Sequence, residues 1–382
     1  MLTLPRHALL FILLSACSSP IDEHPDAVGD STQQRDSTRD GGTQRDLKTR
    51  PDIRRTQDSN TDLYVPPSEG TLSERYPGDS FPTQETAILF HSDFEKGFQG
   101  WDSDTSWSGQ PSTYETKSEE ANNGTGSFKA AFTQATLKSR GDASVRLLKN
   151  IDSPSKKIYY RYYARFAKGT LRPHHWTRVC GYDENCPGGT AGLQPKGDVR
   201  FNTRVDINGK NQLFFYTYWH EMRSGRCNDG SATPGCEGDQ GNTYYFGNRF
   251  KPADQESIVL TEWQCYEFMV KENTIGESDG EQALWLNDKL LGQFIKSRTK
   301  GEWLRDNFYT EGEFGTDNQN STFDGFNFRT DPKIKQRSFE LEFYQQQNTF
   351  ERLSDKADEI AEEQAIYYDD VVIATERIGC RK

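Results

Sequence analysis

The sequence predicts an all-β protein, built as a two-sheet β-sandwich, over most of its 382 residues. In many segments apolar and polar residues alternate with a period of two, which is typical of strands that bury one face. Aromatic residues make up 12% of the chain, and flat rings pack well on pleated surfaces. Gly and Asn turns separate the alternating segments, as they do in sandwich proteins.

The predicted strands follow one another between residues 88 and 375. They cover residues 88–90, 157–166, 201–207, 213–220, 263–271, 282–287, 338–344 and 365–375. One segment departs from this pattern, because apolar residues fall at helical spacing between Phe350 and Ala361 in an acidic stretch. This spacing predicts one short amphipathic helix before the last strand.

The overall charge and hydropathy exclude two classes of protein. A mean hydropathy of −0.90 and a hydrophobic content of 33% leave no room for a multi-span membrane protein. The formal net charge is −12, whereas binding to nucleic acid depends mainly on Lys and Arg. We therefore expect no nucleic-acid partner, although a small cationic cleft remains compatible with this composition.

The first residues have the pattern of an export signal. Arg6 precedes an apolar run from Ala8 to Leu14, which is too short to span a bilayer. The run ends in Leu14-Ser15-Ala16-Cys17, which resembles the lipobox of bacterial lipoproteins. The resemblance implies that residues 1–16 are a signal peptide and that Cys17 is lipidated. The mature protein would then be anchored to the cell surface or outer membrane of a bacterium, through its lipid only. The alternative is ordinary secretion.

The segment after Cys17 is expected to be a disordered linker. Residues 17–80 are of low complexity and contain few large apolar side chains, so burial cannot offset the entropy cost of ordering them. Pro66-Pro67 and Pro77-Gly78 mark its end. We therefore place one folded domain at residues 81–382.

Six further cysteines support an oxidising location. They are Cys180, Cys186, Cys227, Cys236, Cys265 and Cys380. An even number in an exported chain suggests disulfides, and the sequence neighbours suggest the pairs 180–186 and 227–236, which leaves 265 with 380. Fifteen pairings are possible, so other connectivities stay open. Structural zinc is the competing interpretation, but the chain has no CxxC pair.

A predicted hairpin in the middle of the chain carries the chemically useful groups. On its first strand Arg204 shares a face with Asn202, and on its second strand Tyr216 shares a face with Tyr218. The apolar faces of both strands meet the same core only if the connecting loop has an odd number of residues. We expect a three-residue loop, 208–210, which pairs Asn202 with Tyr216.

An Arg beside two Tyr on a sheet face suits an acidic sugar. Cleavage of a polyuronate by β-elimination requires a cation to neutralise the carboxylate, a base to remove the C5 proton and an acid to protonate O4. Tyr can serve as acid or base, although its ordinary pKa near 10 requires a nearby cation before the phenolate forms. The alternatives are an ordinary exposed face or a sugar-binding groove that has no catalytic activity.

The hairpin resembles that of polysaccharide lyase family 14. Members of that family have a small polar residue, an Arg two positions on and a Tyr-x-Tyr pair on the next strand, and this chain has Asn202, Arg204, Tyr216 and Tyr218. Further similar segments are 245–248, Trp263, 270–276, 279–280, 285–288 and 367–372. The resemblance covers roughly residues 160 to 290 and the last strand. It implies a concanavalin-like jelly roll that cleaves alginate or a related polyuronate.

The chain departs from that family at one catalytic position. The family has a Lys on the strand before the Arg strand, whereas this chain has Pro173-His174-His175-Trp176. Histidine has an ordinary pKa of about 6.5 and can serve as a base at neutral pH. We assign this role to His175, with His174 as the second candidate. An inactive or altered site is the alternative.

The resemblance implies a role for each site residue. Arg204 and Asn202 would neutralise the uronate carboxylate, Tyr218 and His175 would share the acid and base work, and Tyr216 would position the sugar. Additional substrate contacts are expected from His174, His220, Arg249 and Lys271.

Two other functions and one metal site remain open. The protein could be a carbohydrate-binding lipoprotein that has no activity, or a hydrolase, for which Glu267 is the groove-side carboxylate we can name. A structural Ca²⁺ could lie between Asp93, Glu95 and Asp370, although ordinary turn residues are the simpler interpretation. No cofactor is required, since the chain has no phosphate-binding Gly-rich loop between a strand and a helix. The sequence says nothing about oligomeric state.

Overall fold

The computed structural model describes residues 70–106, 113–186, 191–227, 229–232, 244–310 and 321–382. Its strands in chain order are β1 (Ile88–Ser92), β2 (Ser103–Ser106), β3 (Thr113–Glu115), β4 (Ser127–Thr133), β5 (Asp142–Asn150), β6 (Lys157–Phe166), β7 (Thr177–Tyr182), β8 (Arg200–Ile207), β9 (Leu213–Tyr218), β10 (Asn248–Lys251), β11 (Gln264–Lys271), β12 (Glu281–Leu286), β13 (Lys289–Phe294), β14 (Gly301–Leu304), β15 (Asn307–Thr310), β16 (Lys335–Gln346) and β17 (Glu363–Ala374). Its α-helices are α1 (Leu72–Arg75), α2 (Gln134–Arg140) and α3 (Gln347–Ser354).

These strands form two sheets, which confirms the predicted sandwich. Sheet A has the order β13-β12-β11-β6-β17-β4-β3, and β1 also pairs with β17. Sheet B has the order β14-β15-β10-β9-β8-β7-β16-β5-β2. The main core lies between the sheets and is rich in aromatic rings, for example the cluster of Tyr160, Phe268 and Phe339. The bounds of β6 are those that the alternation predicted.

The hairpin β8–β9 has the predicted parity but a different register. Three residues, 209–211, do form the turn, but the pair that closes it is Asn208 and Gln212, whose backbone groups hydrogen-bond at 2.9 Å. The Asn208 side chain accepts two backbone N–H bonds within the turn, and Asn211 has a φ of 57°. The turn is therefore one residue later than expected, which places Arg204, and not Asn202, opposite Tyr216.

A buried polar cluster fixes this register from the core side. Thr203 and Thr217 lie directly opposite one another and their hydroxyls hydrogen-bond at 2.8 Å. Gln282 of sheet A donates to both, at 2.8 and 3.1 Å. All three side chains are fully buried, so a slip of the strands would leave polar groups unpaired in the core at a cost of about 1–3 kcal/mol each.

The helix prediction was right in position but too long. α3 ends at Ser354, and Asp355 follows as its C-terminal cap. Ile360 still packs against the core, but Ala361 donates its N–H to the carbonyl of Gly169 in another part of the chain. The apolar residues beyond residue 354 therefore belong to an irregular segment that contacts other parts of the chain, and not to the helix. Two further short helices, α1 and α2, were not predicted.

The folded domain begins before residue 81, which corrects the expected boundary. Leu72 is fully buried against the outer face of sheet A, and Asp79 forms a buried ion pair with Arg161 at 2.6 Å. The C-terminal segment lies on the same face, where the backbone N–H groups of Ile378 and Gly379 donate to Glu267. Residues 70–80 and the C-terminal segment thus both lie on the outer face of sheet A.

Two of the predicted disulfides are present. Cys180–Cys186 closes a short loop after β7, and Cys265–Cys380 ties the C-terminal segment to β11. The third predicted pair includes Cys236, which lies outside the described residues, as do Cys17, the signal peptide and the linker up to residue 69. No helix in the described ranges is long and apolar enough to cross a membrane.

We expect Asp79→Ala to lower the free energy of unfolding by about 3–5 kcal/mol, because it leaves the Arg161 guanidinium buried and without its carboxylate partner. Urea denaturation followed by tryptophan fluorescence measures this loss. The control is Asp152→Ala, because Asp152 pairs with Arg337 at the surface with a side chain that is 99% exposed. Equal effects of the two substitutions would contradict the assignment of residues 70–80 to the domain.

Candidate functional site

The outer face of sheet B is polar because β8 and β9 alternate in phase. Phe201, Thr203 and Val205 of β8 point into the core, which directs Asn202, Arg204 and Asp206 to the outer face. On β9 the same alternation directs Tyr216 and Tyr218 outward. The predicted catalytic residues of this hairpin therefore do share one sheet face.

Strand pairing aligns four side chains, one from each of four neighbouring strands, in a row across the sheet. Arg249 of β10 lies opposite Tyr216, Tyr216 lies opposite Arg204, and Arg204 lies opposite Arg178 of β7. Neighbouring strands are about 4.8 Å apart, so this row spans roughly 14 Å. The row is long enough to contact more than one sugar residue.

Two arginines of this row belong to a charge cluster of three partly buried arginines and two buried glutamates. Arg204 pairs with Glu342, and Arg178 pairs with Glu340 at 2.5 Å. Arg146 lies 3.5 Å from Glu340 and 4.0 Å from Glu342. The guanidinium groups, above all that of Arg204, lower the pKa of Glu342 to about 2 against the opposing effect of burial. The three guanidinium groups face the carboxylates of Glu340 and Glu342, and the carboxylate of Asp206 also acts on Arg204.

The guanidinium of Arg204 keeps one edge available for a ligand. Its contacts with the described residues, to Glu342 and to the carbonyl of Trp176 at 3.5 Å, both use Nη1. Nε and Nη2 have no hydrogen-bond partner in the described part of the chain. A planar guanidinium can bind a carboxylate through two parallel N–H groups, so this edge suits a uronate.

The hydroxyl groups of Tyr216 and Tyr218 contact each other. Their hydroxyls are 3.4 Å apart, and both residues are less than a tenth exposed. Burial raises the pKa of Tyr216 well above its ordinary value and also raises the pKa of Tyr218, although Arg204 and Arg200 counteract the latter. Gly247 packs its backbone against the Tyr216 ring so closely that a Cβ there would collide with it. The pair is therefore protonated at neutral pH.

His175 lies against Tyr216 and is held by a carboxylate. The ring centroids of His175 and Tyr216 are 5.0 Å apart, and Tyr344 stacks on the imidazole with a centroid distance of 5.9 Å. The Nδ1 atom of His175 lies 2.8 Å from Oδ2 of Asp206, whose Oδ1 accepts the backbone N–H of Trp176 at 2.8 Å. Nε2 has no partner in the described residues. The structure thus brings the predicted imidazole to the Arg–Tyr row.

The second candidate histidine has a different environment. His174 lies 3.2 Å from the hydroxyl of Thr349, and its ring centroid is 4.4 Å from that of His175. Burial, together with His175, Arg172 and other cations, holds the pKa of His174 well below its ordinary value. His174 is thus a neutral neighbour of His175.

Two more of the predicted residues lie at or near the row. Asn202 is buried between Tyr218 and Cys180 on the adjoining strands. His220 follows β9, with its Nε2 3.6 Å from Glu221 and its Nδ1 buried and unpartnered among the described residues.

Lys271 and Glu267 lie elsewhere, which corrects both expectations. Both belong to β11 of sheet A and alternate with its core residues, so they occupy the outer face of the other sheet. Lys271 pairs with Glu281 at 2.9 Å, and Glu267 is buried under the C-terminal segment. Neither can contact a substrate on sheet B.

The proposed calcium ligands do not form a cation site. Both carboxylate oxygens of Glu95 accept hydrogen bonds from Thr125 or Gly126, and Asp93 accepts the N–H of Glu95. Asp370 accepts the side-chain amide of Asn122 at 2.8 Å. Within the described ranges, no three His, Cys, Asp or Glu residues are grouped as metal ligands would be. These carboxylates cap loops, which is the simpler of the two interpretations.

Several site residues were missed from the sequence. They are Arg146, Arg178, Arg200, Asp206, Glu340, Glu342 and Tyr344. The alternation of Glu340 and Glu342 with Phe339 and Leu341 was a readable signal that both carboxylates face away from the core. Strand β7 gave no such signal, because Cys180 and Gly181 interrupt its pattern.

Comparison with known proteins returns similar solved structures only. No family model matches the chain, and no curated protein matches it. An endo-β-1,4-glucuronan lyase from the fungus Trichoderma reesei has 14% identity and a TM-score of 0.44, with 77% of this chain and 100% of that chain covered. An alginate lyase from a Chlorella virus has 15% identity and a TM-score of 0.44, with 75% and 99% covered.

A third similar structure is a PL-14 alginate lyase from Aplysia kurodai. It has 14% identity and a TM-score of 0.41, with 76% of this chain and 97% of that chain covered. These three solved structures are polysaccharide lyases, the kind of protein that the sequence resembles. The fold and the site are therefore described from this chain's own geometry.

The low pKa of Glu342 gives a pH-dependent stability. A carboxyl with a pKa of about 2 in the folded state and about 4.5 when unfolded stabilises the fold above pH 4.5, and this contribution is lost as the pH falls towards 2. We expect Glu342→Gln to lower the free energy of unfolding at pH 7 and to approach wild type at pH 2–3. Urea titrations at both pH values measure this difference. A constant difference between wild type and variant would contradict the Arg204–Glu342 pairing.

Proposed function

We propose that this protein is a polysaccharide lyase that cleaves a uronate-containing polysaccharide by β-elimination. The observation that carries the proposal is one row of groups on the outer face of sheet B: two protonated phenols, together with a guanidinium edge and an imidazole Nε2 that have no partner among the described residues. These are the carboxylate partner, the acid and the base that the reaction needs.

In this proposal Arg204 binds the uronate carboxylate through Nε and Nη2. Neutralising that carboxylate makes the neighbouring C5 proton more acidic, because the negative charge that develops on removal of the proton is spread onto a carboxylate that faces a cation. Glu342 holds the guanidinium in place from the opposite edge, so little conformational entropy is lost on binding. Asn202, on the same strand face, adds an amide near the carboxylate.

His175 is the base and Tyr218 is the acid. Nε2 of His175 takes the C5 proton, the C4–O4 bond breaks, a C4=C5 double bond forms, and O4 leaves with the proton that Tyr218 donates. The assignment of Tyr218 as acid follows from its raised pKa, which keeps the phenol protonated. Tyr216 supports Tyr218 by a phenol–phenol contact and the sugar by its ring. No cofactor takes part in this scheme.

The charge of the site supports an anionic polymer. Arg249 lies beyond Tyr216 in the row, and Arg146, Arg178 and Arg204 lie on the other side. A line of arginines on an otherwise acidic protein suits a polyanion that lies across the strands.

The test is the appearance of unsaturated sugars. The folded domain, incubated with alginate or glucuronan, is expected to release products that absorb in the ultraviolet. His175→Ala and Tyr218→Phe should each lower kcat by about 10²- to 10⁴-fold, the usual contribution of a general base or acid. Matched controls are His91→Ala and Tyr367→Phe, because both residues belong to strands of sheet A.

Three outcomes separate the candidate functions. Binding of the polymer without absorbing products would favour a carbohydrate-binding protein, and reducing ends without absorbance would favour hydrolysis. Wild-type turnover in both site variants would contradict the assigned roles. Glu342 is also a poor proton donor for hydrolysis, since its pKa is held at about 2.

We also propose that the protein is exported and anchored by a lipid on Cys17 to the surface or outer membrane of a bacterium. The proposal is supported by the apolar run and the Leu14-Ser15-Ala16-Cys17 sequence, together with the two disulfides of the folded domain. Metabolic labelling with a radioactive fatty acid is expected to mark the wild-type chain but not Cys17→Ala. Equal labelling of both chains, or no labelling of either, would contradict lipidation at this position.

A further inference from the structure

We infer that Asp206 is the positioning residue that prepares His175 as a base, by fixing its neutral tautomer with the proton on Nδ1. This inference rests on the proposed function for its catalytic meaning, but its structural content can be measured without turnover. The inference rests on a buried carboxylate, one oxygen of which lies at hydrogen-bond distance from the imidazole while the other accepts a hydrogen bond from the neighbouring backbone N–H.

The carboxylate of Asp206 is tightly constrained. Its Oδ1 accepts the N–H of Trp176 at 2.8 Å, which leaves Oδ2 aimed at Nδ1 of His175, also at 2.8 Å. Asp206 is only 3% exposed and pairs with Phe214 near the turn end of the β8–β9 hairpin. The carboxylate therefore cannot turn away without breaking a backbone hydrogen bond.

The contact fixes which ring nitrogen carries the proton. An ionised carboxylate only accepts hydrogen bonds, so Nδ1 must be the donor. In the neutral ring the lone pair is then on Nε2, the atom that has no partner among the described residues. The tautomer that a base requires is thus set by the strand that also carries Arg204.

Asp206 also offsets the charge that the reaction creates. When Nε2 takes a proton the ring becomes a cation, next to a cluster that already contains Arg204. A carboxylate 2.8 Å from Nδ1 stabilises that cation, in the manner of the Asp of a Ser-His-Asp triad. The rings of Tyr216 and Tyr344 pack against the imidazole and keep its orientation.

The first measurement uses the wild-type protein and ¹⁵N NMR of its histidine rings at the alkaline end of their titration. His175, assigned by its loss in His175→Ala, is expected to show the shifts of the Nδ1–H tautomer. An Nε2–H tautomer in the wild type would overturn the inference, whether or not the protein cleaves any polymer. The tautomer itself is read from the wild-type protein, and the variant serves only to assign the signal.

The second measurement uses Asp206→Asn. The new amide oxygen can still accept the N–H of Trp176, but its NH₂ group would donate to Nδ1 and force the proton onto Nε2. We expect the Nε2–H tautomer in this variant, a fall in kcat of about 10²- to 10⁴-fold and a KM within a few-fold of wild type. The matched control is Asp279→Asn, because Asp279 likewise accepts a backbone N–H, that of Thr274, but beside β11 of sheet A.

The outcomes separate this inference from the proposed function. Absence of unsaturated products from wild type, with the Nδ1–H tautomer present, would refute the lyase proposal but keep Asp206 as the residue that fixes the ring. Normal kcat in Asp206→Asn, or a rise in KM that accounts for the whole loss of kcat/KM, would refute the positioning role. A loss of kcat without a change of tautomer would also refute it.

Discussion

The register of β8 against β9 is the constraint on which the rest of the site depends. Arg204 faces Tyr216 only because the turn closes at Asn208 and Gln212, and the Thr203–Thr217–Gln282 cluster makes any other pairing costly. Polar groups in the core thus determine which polar groups meet on the outer face. The same two strands also carry Asp206, so one register sets the carboxylate partner, the phenols and the support of the imidazole.

The two outer faces of the sandwich differ because residues 70–80 and the C-terminal segment lie on one of them. The outer face of sheet A has a second apolar cluster, in which Leu72 and Ile378 of these two segments pack on Tyr159 and Trp285. The outer face of sheet B has instead buried charges that pair with one another. The carboxylates of Glu340 and Glu342 hold the guanidinium groups of Arg178 and Arg204 in place on this face.

Alternation predicted the fold well because it reports burial directly. The bounds of β6, the odd parity of the hairpin loop and two disulfides could be obtained from the sequence. The register could not, since it depends on an Asn turn and on a contact with Gln282 that is 65 residues away from Thr217. Likewise, Lys271 was wrongly predicted to contact the substrate, because alternation indicates which face of a strand a residue occupies but not the sheet to which that strand belongs.

The mass of the smallest products tests the central claim most directly. β-Elimination breaks the C4–O4 bond without adding solvent, so digestion of a polyuronate in ¹⁸O-labelled water should give oligosaccharides that are lighter by one water molecule than the saturated sugars and that carry no ¹⁸O from the cleavage. Products that have gained one water molecule, with one ¹⁸O at the new reducing end, would show hydrolysis and contradict the account. A polymer that is bound but never shortened would contradict it as well.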